Sequence, residues 1–179
     1  MNNYIVLLRG INVGGHKKLP MQTLRDLLSA NGYQNVRTYI QSGNVFVVSN
    51  NKDKLKISSH IKQLIFEEFD YNVPIITLTK EDIEKCVLTN PYLATEDDLK
   101  KLHVIFLNEI PDTNLVNDIT NFRSDNDSFT IIDNLVFIHY PNNSRNSKLS
   151  VTFFEKKLQV KASARNWRTV LKLSELSTS

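Results

Sequence analysis

Residues 3–49 read NYIVLLRGINVGGHKKLPMQTLRDLLSANGYQNVRTYIQSGNVFVVS, and this stretch decides the fold. It opens with an apolar run, 3–9, of strand length and rich in β-favouring side chains. Pro20 suits the first position of a helix. Four apolar residues repeat at helical spacing behind it: Met21, Leu24, Leu27 and Leu28. Asn31 and Gly32 are typical of a helix C-terminus, so the stretch predicts a strand followed by a helix.

The remainder of the stretch predicts a hairpin, because two strand patterns, 36–41 and 44–49, flank Ser42 and Gly43. Asp53 can cap a second helix. One face of that helix is predicted to be apolar: Leu55, Ile61, Leu64, Ile65 and Phe69. A strand at 73–79 follows. The order βαββαβ over residues 1–79 is that of a ferredoxin-like arrangement.

Residues 80–179 predict a second small α+β half packed on the first. Thr79 and Asp82 form a capping box for a short helix, and Asp112 can cap a later one. Three strands are predicted in this half, at 102–107, 128–133 and 135–140, and its last helices are predicted around 149–158 and 164–176. The predicted fold class is therefore α+β, with a ferredoxin-like half at 1–79 and a βαββ half with C-terminal helices at 80–179.

The composition is that of a globular protein, with 179 residues of which 41% are hydrophobic and 23% charged. No apolar run approaches the roughly 18 residues that a membrane span needs. The apolar run at the start lacks the basic flank and the cleavage site of a signal peptide. The single cysteine, Cys86, excludes an internal disulfide, as is typical of reduced proteins. We therefore expect a cytoplasmic protein that has no contact with a membrane.

Charge is distributed unevenly around a modest net value of +3. Residues 1–48 hold five basic residues and one acid, and residues 141–172 hold eight basic residues and one acid. Residues 96–133 are acidic, with nine acids against three basic residues. Such asymmetry is typical of an anion-binding face, and solvated surface charges placed by chance produce it as well.

The loop after the first strand is the first candidate site, because it runs about ten residues and combines glycines with basic side chains. In a ferredoxin-like half this loop and the hairpin lie at the same end of the sheet. The candidate ligand-binding residues at this end are Arg9, Gly10, Asn12, Gly14, Gly15, His16, Lys17, Lys18, Gln41, Ser42 and Asn44. His16 stands where a Walker A loop needs lysine, which leaves a generic backbone anion nest. The alternative is that the glycines only permit turns and the lysines are solvated.

The C-terminal segment is the second candidate site. Arg165, Arg168 and Lys172 have i, i+3, i+7 spacing, which places them on one face if the segment is helical. The candidate ligand-binding residues here are Arg145, Lys148, Arg165, Asn166 and Arg168. Pairing with the acidic middle of the chain explains the same charges equally well. Trp167 is expected in the core between the two halves.

The sequence lacks the usual signatures of catalysis. The four histidines, His16, His60, His103 and His139, lack metal-ligand spacing, so no metal site is predicted. Ser42 lacks a nucleophile elbow, Cys86 is typical of a core residue, and the acids around Glu96 are typical of solvated surface. Neither a cofactor nor an oligomeric state is indicated.

Four motifs together resemble a bacterial family, domain-of-unknown-function family 1697. They are the LRGINVGG loop, the TYIQSGNV strand pair, the SKL segment and the ARNW segment. The matching residues are Arg9, Gly10, Asn12, Gly14, Gly15, Gln41, Ser42, Gly43, Asn44, Ser147, Lys148, Arg165, Asn166 and Trp167. The resemblance implies an α+β fold with a ferredoxin-like half and no established activity.

Three functions are compatible with these patterns. The leading expectation is a binding protein for a phosphate-bearing small molecule or nucleic acid, held by the glycine-rich loop and the basic C-terminal helix. The second is an enzyme acting on a small phosphorylated metabolite, with His16 as proton carrier. The third is an adaptor whose acidic middle meets a basic protein partner.

Overall fold

A computed structural model describes residues 1–14, 17–142 and 144–178. Its internal contacts divide the chain into two compact units. Unit 1 is Met1–Ile83 together with the last residues from Leu176, and unit 2 is Glu84–Glu175. The sequence-based boundary between residues 79 and 80 stays a prediction.

The described residues of unit 1 form four strands and two helices, and a third helix follows the last strand. The strands are β1 (Asn2–Leu8), β2 (Gln34–Tyr39), β3 (Asn44–Ser49) and β4 (Ile75–Leu78). The helices are α1 (Met21–Ala30) and α2 (Lys54–Phe69), and α3 (Lys80–Thr89) follows β4. The strand order is β2-β3-β1-β4, and all neighbours are antiparallel. The predicted ferredoxin-like βαββαβ arrangement is confirmed.

The core of unit 1 lies between one face of this sheet and helices α1 and α2. Alternate residues of β1 and β3 point into it, among them Tyr4, Val6, Val45 and Val47. Helix α2 contributes Ile57, Ile61, Leu64 and Ile65. Leu55, predicted on this face, is 58% exposed. It precedes Ile57 by two positions, about 200° around the helix, so it points away from the core.

The predicted caps form in the structure because their partners are close in sequence. The Asp53 carboxylate accepts hydrogen bonds from the backbone N–H groups of Leu55 and Lys56. Thr79 and Asp82 bond each other's backbone N–H groups at 3.3 and 2.8 Å. Each such cap is worth about 1 kcal/mol. Pro20 is in extended conformation, so α1 begins one residue later than predicted, at Met21.

Unit 2 repeats the same order of elements. Its strands are β5 (Leu102–Leu107), β6 (Ser128–Ile132), β7 (Leu135–His139) and β8 (Ala162–Asn166). Its helices are α4 (Thr113–Thr120), α5 (Val151–Leu158) and α6 (Trp167–Ser177), and the last two residues of α6 belong to unit 1. The strand order β6-β7-β5-β8, all antiparallel, makes this a second ferredoxin-like sheet.

Strand β8 differs from the sequence prediction, which assigned residues 164–166 to the last helix. Residues Ala162–Asn166 pair in antiparallel register with β5, from Ala162 opposite Leu107 to Asn166 opposite His103. The edge of β5 offers backbone partners that the local sequence does not reveal, and this pairing overrides helix propensity. The Asn166 side-chain oxygen accepts from the Thr169 N–H at 2.8 Å, so the helix starts after Asn166.

Candidate functional site

The loop after β1 and the loop between β2 and β3 meet at one end of unit 1. The first comprises residues 9–20 and the second residues 40–43, and we call them together the loop end of unit 1. The Leu8 N–H donates to the Gly43 carbonyl at 2.8 Å. In unit 2 the equivalent connection between β5 and α4 needs only residues 108–112. The longer connection in unit 1 is typical of a functional loop.

Asn12 joins the two loops through its side chain. Its amide nitrogen donates to the carbonyls of Leu19 and Gln41, both at 2.9 Å. Its amide oxygen accepts from the Leu19 N–H at 2.8 Å. One side chain therefore fixes Asn12, Leu19 near the end of the loop, and Gln41 in the hairpin relative to one another.

Six of the described residues at the loop end have positive φ. They are Gly10, Asn12, Gly14, Lys17, Ile40 and Gly43, with φ between 45° and 80°. Ile40 is β-branched, so this conformation costs it about 1–2 kcal/mol, and its side chain is 51% exposed. Strained backbone of this kind is frequent at binding sites, where surrounding bonds maintain it.

The basic side chains of the 9–20 loop differ in their surroundings. Arg9 is half-buried, and its backbone N–H donates to the Pro74 carbonyl at 3.0 Å. The Lys17 ammonium donates to the Asn72 carbonyl at 2.7 Å. Lys18 is exposed and has no hydrogen bond or ion pair with a described residue. Gly15 and His16 lie outside the described residues.

Helix α1 begins directly after this loop without the usual N-terminal partners. Pro20 at the cap position has no side-chain hydrogen bond, and the first turn contains no acid. Its first intrahelical bond runs from the Leu24 N–H to the Pro20 carbonyl. The positive end of the helix dipole therefore adds to the positive charge of Lys17 and Lys18.

The hairpin residues divide into a buried and an exposed set. Asn44 is fully buried, and its amide nitrogen donates to the Tyr39 carbonyl and the Ser42 hydroxyl, both at 3.2 Å. Gln41 and Ser42 are exposed at the surface. Asn44 thus shapes the hairpin while Gln41 and Ser42 face solvent.

The candidate residues of the C-terminal segment lie in unit 2 and do not form one helical face. Arg165 belongs to β8, so its predicted i, i+3, i+7 alignment with Arg168 and Lys172 is wrong. The Arg165 guanidinium donates to the Ser163 hydroxyl at 3.0 Å and the Ala164 carbonyl at 2.7 Å. Burial lowers the pKa of Arg165 to about 10.

The remaining basic candidates of unit 2 are on its surface. Arg145 lies in a short 3-10 turn, Ser144–Asn146, and is exposed. Lys148 is exposed, and its backbone N–H donates to the Ser124 hydroxyl at 3.0 Å. Arg168 is exposed in the first turn of α6.

Unit 2 also contains an ionic cluster that sequence reasoning missed. Glu96, predicted as solvated surface, accepts from His139 Nε2 at 2.9 Å and from Lys101 Nζ at 3.2 Å. Tyr92 packs on the His139 ring with centroids 5.8 Å apart. Hydrogen bonds, first from the Asp98 N–H and then from His139, lower the pKa of Glu96 to about 2. Glu96 and His139 are 43 residues apart, so no local pattern could reveal the pair.

Two further features bear on the class of protein. In the parts of the chain that the structure describes, no three His, Cys, Asp or Glu side chains group as a metal site would need. Within the same residues, no helix has the length and apolar character for crossing a bilayer.

The sequence matches the family model described as protein of unknown function (DUF1697) over residues 1–137. The chain belongs to this family. The matched range includes the loop end of unit 1, whereas the SKL and ARNW motifs lie beyond it. No curated protein matches the chain.

A solved structure of the conserved bacterial protein SP0830 from Streptococcus pneumoniae resembles this one with a TM-score of 0.72. The alignment covers 98% of each chain at 22% identity. At that identity the likeness shows the fold alone.

Proposed function

We propose that this protein binds a phosphate-bearing ligand, either a small molecule or nucleic acid, at the loop end of unit 1. The observation that carries the proposal is the Asn12 side chain, which fixes the 9–20 loop against the 40–43 hairpin. A loop fixed before binding loses little conformational entropy when a ligand arrives.

The chemistry of this end suits an anion. Successive backbone N–H groups that alternate between right- and left-handed conformations form concave nests that favour negative charge. The uncapped start of α1 and the exposed Lys18 ammonium add positive potential on the same loop. Gln41 and Ser42 supply exposed polar groups from the neighbouring hairpin.

The exposed cations of unit 2, Arg145, Lys148 and Arg168, are a second and separate candidate set for contacts with phosphate groups. Each phosphate contact steepens the decline of affinity with salt.

The first test is thermal stability of the whole protein at low salt against inorganic phosphate, nucleotides, sugar phosphates and short oligonucleotides. A ligand at about 100 times its Kd adds about 2.7 kcal/mol, which raises the Tm by several degrees. Stabilisation by small phosphates indicates a metabolite, and stabilisation only by oligonucleotides, lost with added salt, indicates nucleic acid. A response to none of them contradicts the proposal.

Two matched variants test whether the ligand binds at the loop end of unit 1. Lys18→Gln removes one exposed charge from the 9–20 loop, and Lys62→Gln removes one from the exposed side of α2. We expect Lys18→Gln alone to weaken binding. Equal losses in both variants would mean that the ligand responds to net charge and not to the loop end.

A further inference from the structure

A pocket lies on the face of the unit 1 sheet that α1 and α2 do not cover. Asn3 pairs with Val48, and Phe46 pairs with both Ile5 and Arg37. Directly paired residues project from the same face of a sheet. Their neighbours Tyr4 and Val47 belong to the core under the helices, so this row projects from the opposite face.

The pocket has a volume of about 390 Å³ and is formed by residues of unit 1. That volume is in the range of small-molecule sites. Phe46 and Ile5 form its buried apolar floor. Asn3, Asn35, Arg37 and Lys80 contribute polar groups around it, and no described residue that lines it is acidic.

Arg37 is a cation that lines this pocket and stacks on Phe46. Its guanidinium carbon lies 5.4 Å from the centroid of the Phe46 ring. The side chain is exposed and makes no hydrogen bond or ion pair with a described residue. A guanidinium stacked on an aromatic ring keeps its N–H groups available at the edge, where they match the two oxygens of a carboxylate or phosphate.

The backbone of β2 is adapted at the same place. The pairing of β2 with β3 shifts register between Gln34 and Arg37, and Asn35 has a φ of 49°. Such a bulge bends the edge strand and redirects its side chains. It places the exposed Asn35 beside Arg37 on the lining of the pocket.

This pocket is separate from the loop end. Asn3 and Ile5 belong to the first half of β1, whereas the 9–20 loop follows the last residue of that strand. Arg37 and Phe46 lie three residues from the 40–43 hairpin, about 10 Å along their strands, and no described residue that lines the pocket belongs to either loop. The inference therefore does not depend on the proposed function.

We propose that this pocket binds a small organic anion with a planar apolar part. The anionic group pairs with the Arg37 guanidinium, Asn3 and Asn35 accept or donate further hydrogen bonds, and the planar part packs on the lining beside the stacked guanidinium. A carboxylate and a phosphate share this chemistry.

The test is calorimetric or NMR titration of the whole protein with benzoate and phenyl phosphate, and with benzyl alcohol and benzylamine as neutral and cationic controls. We expect at least one of the two anions to bind, with an affinity at least about tenfold higher than that of either control. The anion that binds more tightly identifies the headgroup class. Failure of both anions at millimolar concentration, or equal binding of benzyl alcohol, overturns the proposal.

Variants locate the binding. Arg37→Gln should weaken the anion about tenfold or more, since a charged hydrogen-bond donor is lost. Phe46→Leu keeps an apolar floor while removing the aromatic face, and should weaken it less. Lys62→Gln, on the opposite side of unit 1, should leave the affinity unchanged. If Lys18→Gln reduces binding and Arg37→Gln does not, the anion occupies the loop end and the pocket assignment is wrong.

Discussion

Gly43 lies where the 40–43 hairpin loop approaches β1, and alanine at this position tests that approach. Its φ is 80°, and a Cβ built on it would be 2.7 Å from the Leu8 Cβ and 3.0 Å from the Leu8 carbonyl oxygen. Neither of those atoms is the far end of a flexible side chain. The backbone must therefore move, and with it the bond from the Leu8 N–H to the Gly43 carbonyl.

The expected destabilisation combines two costs. A left-handed conformation costs an L-residue about 1–2 kcal/mol. Forcing an extra methyl group into a closed contact costs about 1–3 kcal/mol. Gly43→Ala should therefore lower the free energy of unfolding by about 2–5 kcal/mol.

The structure offers two controls for the conformational part. Gly10 has a φ of 71° and Gly32 a φ of 88°, and neither Cβ would meet an atom within 4 Å. Gly10→Ala and Gly32→Ala should each lose only about 1–2 kcal/mol. The assay is urea denaturation followed by far-UV circular dichroism, with ΔG and m fitted for each variant. If Gly43→Ala falls within about 0.5 kcal/mol of the two controls, the close contact between hairpin and β1 is refuted.

Three further predictions follow from single side chains. Asn12→Ala removes the three hydrogen bonds of the Asn12 side chain, so we expect a loss of about 1–3 kcal/mol in urea denaturation and weaker phosphate binding. If the variant binds phosphate as tightly as the natural protein, the order of the loop is not needed for binding. The pKa of Glu96 is about 2, below its ordinary 4.5, so its contribution to stability is present above pH 4.5 and is lost as the pH falls toward 2. Glu96→Gln should therefore flatten the dependence of the Tm on pH between 4.5 and 2, and an unchanged dependence would contradict this prediction. Burial raises the pKa of the Cys86 thiol to about 12, so iodoacetamide at pH 8 should label this thiol only after the protein unfolds. Rapid labelling of the native protein would show instead that the thiol is accessible.

The topology that the two units share shows which features of the glycine-rich loop the fold does not require. Both units have the order βαββαβ, so each shows what a connection after the first strand requires. Unit 2 makes that connection with residues 108–112 alone. The extra length, the positive φ angles and the Asn12 bonds in unit 1 are therefore additions to the fold and not conditions of it.

Signals whose partners lie within a few residues were readable in the sequence. The Asp53 and Asp112 caps, the Thr79–Asp82 box and the helix end at Asn31 formed as predicted. The hairpin pattern and the spacing of apolar residues also sufficed for the strand order of unit 1, because short connections leave few ways to pair four strands.

Features whose partners are distant in sequence were decided only by the tertiary structure. Residues 162–166 became a strand because the edge of β5 supplied hydrogen-bond partners that outweighed helix propensity. The pairing of Glu96 with His139 and the stacking of Arg37 on Phe46 likewise join separate elements. The sequence by itself determined which local elements form and where the glycine-rich loop lies, since these depend on backbone propensity and neighbouring side chains. Only the folded chain brings separate elements into contact. These contacts decide which charges are buried, which are paired and which are open to a ligand.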